Sequence, residues 1–222
     1  MNQRFRILGF ALAVIGLAFI IGGGVAGLRV QDGYQSLENF SESQNVLLSY
    51  NEDGQLIDRG TTENAEAIMA LLTEDWGFPV VDSHMDPNDP LVNTQSEYMY
   101  QMATIGYHVL NGTQTVTLEE EVEYEGETFE PGTYEFEVDG RYWTDFDRMH
   151  PIEGPARSQA WSGTVHGLFG ELGVGTVTAS TLQLALGVTA LVLGLGVVFI
   201  ITGGGLIWAS RGETAPANQR AN

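Results

Sequence analysis

Apolar and polar residues divide this chain into three parts. Residues 7–28 and 182–208 contain no Asp, Glu, Lys, Arg or His, and between them apolar residues recur with helical or strand periods. A membrane-crossing helix needs about 20 predominantly apolar residues. The two runs have 22 and 27. Their Leu, Ile, Val and Phe residues favour insertion by about 4–7 and 5–9 kcal/mol, before glycines and polar atoms subtract from it. The pattern predicts a segment 1–6, a first span 7–28, a domain 29–181, a second span 182–208 and a tail 209–222. The competing reading of the first run is a cleaved signal peptide: Arg4 and Arg6 precede a 15-residue apolar core, and Val25-Ala26-Gly27 offers small residues for cleavage. Apolar character continues to Leu28, which favours an uncleaved anchor.

Within the middle segment, 29–43 lacks Pro and reads as a helical stalk with Tyr34, Leu37 and Phe40 on one side. Residues 46–50 and 55–57 flank an Asn51-Glu52-Asp53-Gly54 turn and read as a small hairpin. A helix is expected over 62–75, capped by Thr62, with Ala65, Ile68, Leu72 and Trp76 inward and Gly77 and Pro79 as its stop. Thr94-Gln95-Ser96-Glu97 fits a capping box for a second helix that ends near Asn111-Gly112. Tyr98, Met102, Ile105 and Val109 form its apolar stripe.

The period then changes to two. Strands are expected over 113–118, 121–124, 128–129, 133–138 and 141–143, separated by the Glu125-Gly126, Pro131-Gly132 and Asp139-Gly140 turns. A helix opening at Pro155 leads into the second span, with Trp161, Val165, Leu168 and Leu172 as its stripe. It lies along the membrane interface with Trp161 at headgroup depth, or it packs on the sheet; the pattern fits both. The fold class expected is an α+β extracytoplasmic domain, helices on a small antiparallel sheet, tethered by two antiparallel transmembrane helices.

Charge orients this arrangement. Arg4 and Arg6 precede the first span and Arg211 and Arg220 follow the second, which places both termini in the cytoplasm and 29–181 outside it, in a cell membrane. Arg29 argues weakly the other way. Residues 30–181 hold 28 acids and four arginines, a net charge of −24. Such a surface excludes nucleic acid, whose phosphates need Lys and Arg. It suits cations or a basic partner protein. Absent Cys and Lys, together with the acid excess, point to a salt-adapted or high-GC prokaryotic source whose domain is stabilised by packing alone.

Glycines change the reading of the spans. Phe19-Ile20-Ile21-Gly22-Gly23-Gly24 echoes Phe199-Ile200-Ile201-Thr202-Gly203-Gly204-Gly205. Small residues let membrane helices approach closely. In antiparallel spans the triplets fall in opposite leaflets, so each is expected to receive a bulky residue from its partner span or from another subunit. Self-association or a membrane-protein partner follows. Without ionisable residues, the spans argue against a lone transporter or channel.

Two polar clusters are the candidate metal ligands, and a divalent cation is the cofactor they suggest. Asp82, His84 and Asp86 alternate as a calcium loop does, but Pro87 stands at the turn glycine and Asn93 at the closing Glu. Asp145, Asp147 and His150, near Glu153, match no closed zinc spacing. There is no Cys nucleophile, nucleophile elbow, dinucleotide fingerprint or phosphate loop. The reading favoured is a non-enzymatic protein whose acidic domain mediates protein interaction or sensing, as an accessory subunit of a larger complex. The alternative is a metal-dependent membrane-associated enzyme or a cation-binding protein using either cluster.

Overall fold

A computed structural model describes residues 2–211, so Met1 and most of the expected 209–222 tail, with Arg220, lie outside the described residues. It combines helices, small antiparallel sheets and two long apolar helices. The chain forms two compact units, one of Met1–Ser36 with Thr181–Asn222 and one of Leu37–Ser180.

The first unit is a helix pair. It is built from α1 (Asn2–Gln44) and α5 (Gly163–Ala209), both long and apolar enough to cross a membrane. Within it, buried positions on α1 recur every seventh residue, at Gly9, Gly16, Gly23 and Val30. Thr189, Gly196 and Gly203 do the same on α5. A Cβ added at Gly16 would sit 2.7 Å from the Gly196 carbonyl oxygen, and one at Gly196 would sit 2.9 Å from that of Gly16. Gly9 and Gly203 are paired in the same way. The helices are antiparallel and their backbones touch, which allows Cα–H···O contacts as well as dispersion. A strict seven-residue period winds such a pair left-handedly. Only one glycine of each triplet is used: Gly23 receives Leu193 and Gly203 faces Gly9 and Ala13, while nothing stands within 4 Å of Gly22, Gly24, Gly204 or Gly205. Phe19 and Phe199, which open the two echoing sequences, meet edge to face at 5.8 Å.

The expected stalk is helical, since α1 continues unbroken until Asn45 takes a left-handed φ of 50°. Its buried face differs from the expected one. Leu37 and Ser41 point inward, four apart, whereas Tyr34 and Phe40 are exposed. The hairpin that follows is held by its turn. Asn51 Oδ1 accepts from the amides of Asp53 and Gln55, and Gly54 adopts φ 74°. It forms isolated bridges instead of a ladder: Tyr50 meets Leu56, and Leu47 meets Leu91.

Helix α2 (Thr62–Ala70) is capped by Thr61, not Thr62, because Thr61 has the extended backbone that lets its hydroxyl accept from Asn64. Its last turn widens to a π-helix over Leu71–Asp75 before Gly77, at φ 64°, stops it. The wider turn carries Trp76 to Gly106, where a Cβ would lie 3.1 Å from the indole. Helix α3 (Gln95–Leu110) has the expected capping box in full.

Strands β1 (Thr113–Leu118) and β4 (Gly132–Glu137) pair antiparallel from Thr113↔Glu137 to Leu118↔Gly132. Strands β2 (Val122–Tyr124) and β3 (Glu127–Phe129) form a separate hairpin between them, turned by Glu125 and Gly126 at φ 52° and 86°. Residues 141–143 are not a strand: Asp139 and Gly140 both take positive φ, and Arg141 N donates back to Val138 O. Helix α4 (Glu153–Ala160) starts two residues before Pro155, because His150 Nδ1 accepts from the amides of Ile152 and Glu153. Its Ile152 and Ala156 pack on Val116, Tyr134 and Phe136 of the β1–β4 sheet. Trp161 is 5% exposed, in a core with Val138 and Phe146, so it packs within the domain. Full burial of Ile68, Leu72 and Val138 stabilises this unit by about 1.5–3 kcal/mol each.

Candidate functional site: an acidic sheet face and an apolar cleft

Alternation in the strands sorts the β region into two faces. Gln114, Val116 and Leu118 of β1 and Tyr134 and Phe136 of β4 turn toward α4, and the residues between them turn outward. The outward set includes Glu135 and Glu137 of β4; in the β2–β3 hairpin Glu123 faces away from Tyr124, and Glu127, opposite Tyr124, is exposed beside the turn. All ten acids of Glu119–Asp139 are exposed, and no base interrupts them. Among the described residues, none of the ten pairs with a basic side chain. Arg141 is close by in sequence but is otherwise engaged. Its Nη1 meets Glu153 Oε1 at 3.2 Å, its Nε donates to Val138 O, and its guanidinium lies 4.5 Å above the Phe136 ring. The acidic face therefore keeps its full negative potential for solvent ions or a partner.

The second candidate metal cluster fastens the β2–β3 hairpin to the start of α4. Tyr124 Oη donates to Asp147 Oδ2 at 2.6 Å, and Asp147 Oδ1 accepts from the Met149 amide. The shared proton pushes Tyr124 up to about 12 and holds Asp147 below the usual carboxylate range. His150 sits edge-on between Phe129, at 5.0 Å, and Tyr124, at 5.4 Å. Because Nδ1 accepts two amides, the proton of the neutral ring is assigned to Nε2. Asp145 Oδ2 accepts from the Tyr142 amide.

The first cluster is spread along a loop. Asp82 opens a 3-10 turn, Asp86 caps Asn88 through amide and side chain, and His84 Nδ1 meets Ser96 Oγ at 3.2 Å. Asn88 lowers the Asp86 carboxyl, and burial lowers the His84 imidazole. Among the described residues, no three His, Asp or Glu side chains converge as a metal site would require.

A cleft of about 220 Å³ opens between the end of α1, α3 and the start of α5. Phe40, Val46, Val92, Ile105, Leu168 and Leu172 supply its apolar lining. At its floor the hydroxyls of Ser41 and Tyr98 satisfy each other at 2.8 Å. Gln44, Gln101 and Glu171 supply its polar rim. Burial pushes Tyr98 upward, and the charges of Glu97, Glu38 and Glu171 add to that.

No family model, curated protein or solved structure matches this chain.

Function must therefore be read from the geometry alone. The acidic face was visible in the sequence. The cleft was not, because its lining comes from four separated stretches and its apolar members read as ordinary stripe residues. A buried polar group was also missed. His108 Nε2 lies 3.0 Å from Asp58 Oδ2 without the alignment of a hydrogen bond. The hydroxyls of Tyr50 and Tyr100 are buried without a protein partner. Burial raises both phenols, Tyr50 to about 12. No spacing rule links residues 50, 58, 100 and 108.

Proposed function

We propose that this chain is a two-span membrane protein with both termini in the cytoplasm. Its acidic domain, residues 29–181, then lies outside the cytoplasm as a non-enzymatic module for protein interaction or sensing, as an accessory subunit of a larger complex. The observation that carries the reading is the run of ten exposed acids over Glu119–Asp139, on two small sheets and their turns, with no base among them. Such a face repels anionic surfaces and attracts a basic partner. Support for two spans comes from the two long apolar helices and their glycine packing. Support for the orientation comes from Arg4, Arg6, Arg211 and Arg220 at the span ends.

Topology is testable because the chain has no Cys. Glu127→Cys should react with a membrane-impermeant maleimide on intact cells, and Ser210→Cys should react only after permeabilisation. The reverse pattern inverts the topology, and labelling of both on intact cells removes it. The interaction is tested by purification from native membranes in mild detergent. A partner should co-purify, dissociate as salt rises from about 0.1 to 1 M, and be lost when Glu119, Glu120, Glu121, Glu123, Glu125 and Glu127 become Gln. A strictly monomeric protein, or a partner indifferent to both changes, would sink the proposal.

A further inference from the structure

The cleft at the end of α1 has a chemistry that the acidic sheet face does not require. Its void of about 220 Å³ exceeds the roughly 150 Å³ apolar cavity that takes up benzene, so one aromatic ring or short alkyl body fits. Phe40, Ile105 and Leu172, from three helices, offer apolar contact. The charges near it have one sign: Glu38, Glu97 and Glu171 all act on the Tyr98 hydroxyl, and no basic residue lines the cleft. Ser41 and Tyr98 already satisfy each other, so the floor asks nothing of a ligand. The rim is different. Gln44 and Gln101 present amide oxygens and Glu171 a carboxylate, which together accept the N–H groups of an ammonium. Phe40 and Tyr98 also line the cleft, and aromatic rings attract cations. An anion would meet the Glu171 carboxylate in a site without a basic residue, and a neutral apolar molecule would leave the rim unused.

We propose that this cleft binds a small organic cation, an ammonium group carrying a single aromatic or short alkyl body. The body lies against Phe40, Ile105 and Leu172, and the ammonium group points to Glu171 and the two glutamines. This goes beyond a protein partner at the sheet and stands whether or not that partner exists.

The experiment uses the full chain in nanodiscs of zwitterionic lipid, with empty nanodiscs to subtract partitioning. Binding of phenethylammonium, 2-phenylethanol and phenylacetate is followed by ligand-observed NMR. Phenethylammonium should saturate with an affinity about tenfold above that of 2-phenylethanol, and phenylacetate should not bind. Glu171→Gln should remove the preference for the cation while the alcohol still binds. Leu168→Trp, which fills the void from a partly exposed position, should abolish binding of both. Ile105→Phe serves as the second filling variant if the first fails to fold. The sheet variant with six Glu→Gln changes should bind phenethylammonium like the unaltered protein, which separates this site from the acidic face. Failure of phenethylammonium to saturate overturns the proposal. So does equal binding of all three probes, a preference that survives Glu171→Gln, or binding that survives a folded filling variant.

Discussion

Between Gly9 and Gly203 two backbones touch because no side chain stands between them, whereas over Glu119–Asp139 ten exposed acids stand out from short strands and the turns that join them. The helix pair gains stability by close approach over a repeated register. The β region is held from one side only, by α4 and the Tyr124–Asp147 link, and carries its repulsion on the other. The two regions should therefore respond to different insults. The pair should be sensitive to volume and indifferent to ions. The β region should be sensitive to ions and to protonation, and tolerant of volume on its outer face.

The largest effect is expected in the helix pair. Gly16→Leu places a branched side chain where a Cβ alone would lie 2.7 Å from the Gly196 carbonyl oxygen. A backbone carbonyl cannot rotate away as a side-chain tip can. The loss should be about 3 kcal/mol, read as thermal unfolding in mild detergent. Gly24→Leu, the residue next to Gly23 and with nothing within 4 Å, should stay within about 0.5 kcal/mol of the parent. Equal losses at the two positions would show that the seven-residue register does not hold the pair together.

That register also marks the limit of sequence reading. Local rules located α3, whose capping box closes from four consecutive residues, and the turns at Gly54, Gly126 and Gly140, which need only positive φ. The glycine triplets were conspicuous, yet the packing glycines Gly9, Gly16 and Gly196 lie outside them. Conspicuous clustering and contact are different properties, because a helix face samples every third or fourth residue and not neighbours. The misplaced strand at 141–143 has a related cause. The Asp139-Gly140 turn was expected, but Arg141 N donates back to Val138 O after it, so the chain leaves β4 instead of pairing with it. Of the candidate site, the charge was legible because each strand alternates by itself. The cleft was not, because its floor pairs Ser41 with Tyr98, 57 residues apart.

A middle-sized effect tests the junction before α3, where the chain relies on hydrogen bonds instead of volume. Thr94→Ala removes the hydroxyl that accepts from Glu97 N and should cost about 1 kcal/mol in chemical unfolding. Glu97 itself is 2% exposed, and burial raises its carboxyl despite amide donors from Asn93 and Thr94. The folded state thus holds this proton more tightly than the unfolded chain. Stability from Glu97 is complete below the ordinary glutamate range and declines as pH rises through the raised value. Glu97→Gln should flatten that decline. Asp147 has the opposite sign. Its carboxyl is depressed, first by Tyr124 and then by the Met149 amide, so its contribution is present above the ordinary aspartate range and is lost as pH falls through the lowered value. Hydrogen exchange in β2 and β3 should speed up on that acid side. Asp147→Asn should show fast exchange at neutral pH already. Unchanged exchange in this variant would mean that the hairpin is held by Phe129 and His150 alone.

The smallest effect belongs to the acidic face, and it concerns salt. Exposed charges interact weakly across water, and the screening length shrinks from about 10 Å at 0.1 M to about 3 Å at 1 M. The ten carboxylates of Glu119–Asp139 are close in sequence, crowded onto two short antiparallel sheets, and without basic partners among the described residues. Their mutual repulsion should therefore fall over that range of salt. Unfolding of the β region, followed by near-ultraviolet dichroism, should move up by about 3 °C between low salt and 1 M NaCl. General salting-out would raise stability too, by strengthening apolar burial. The two causes separate in the six-fold Glu→Gln variant. If repulsion dominates, the variant begins with the higher midpoint and gains little from salt; if salting-out dominates, parent and variant rise in parallel. A parallel rise would mean that the charge on this face has little bearing on folding, and a flat or falling midpoint in the parent would contradict the repulsion outright.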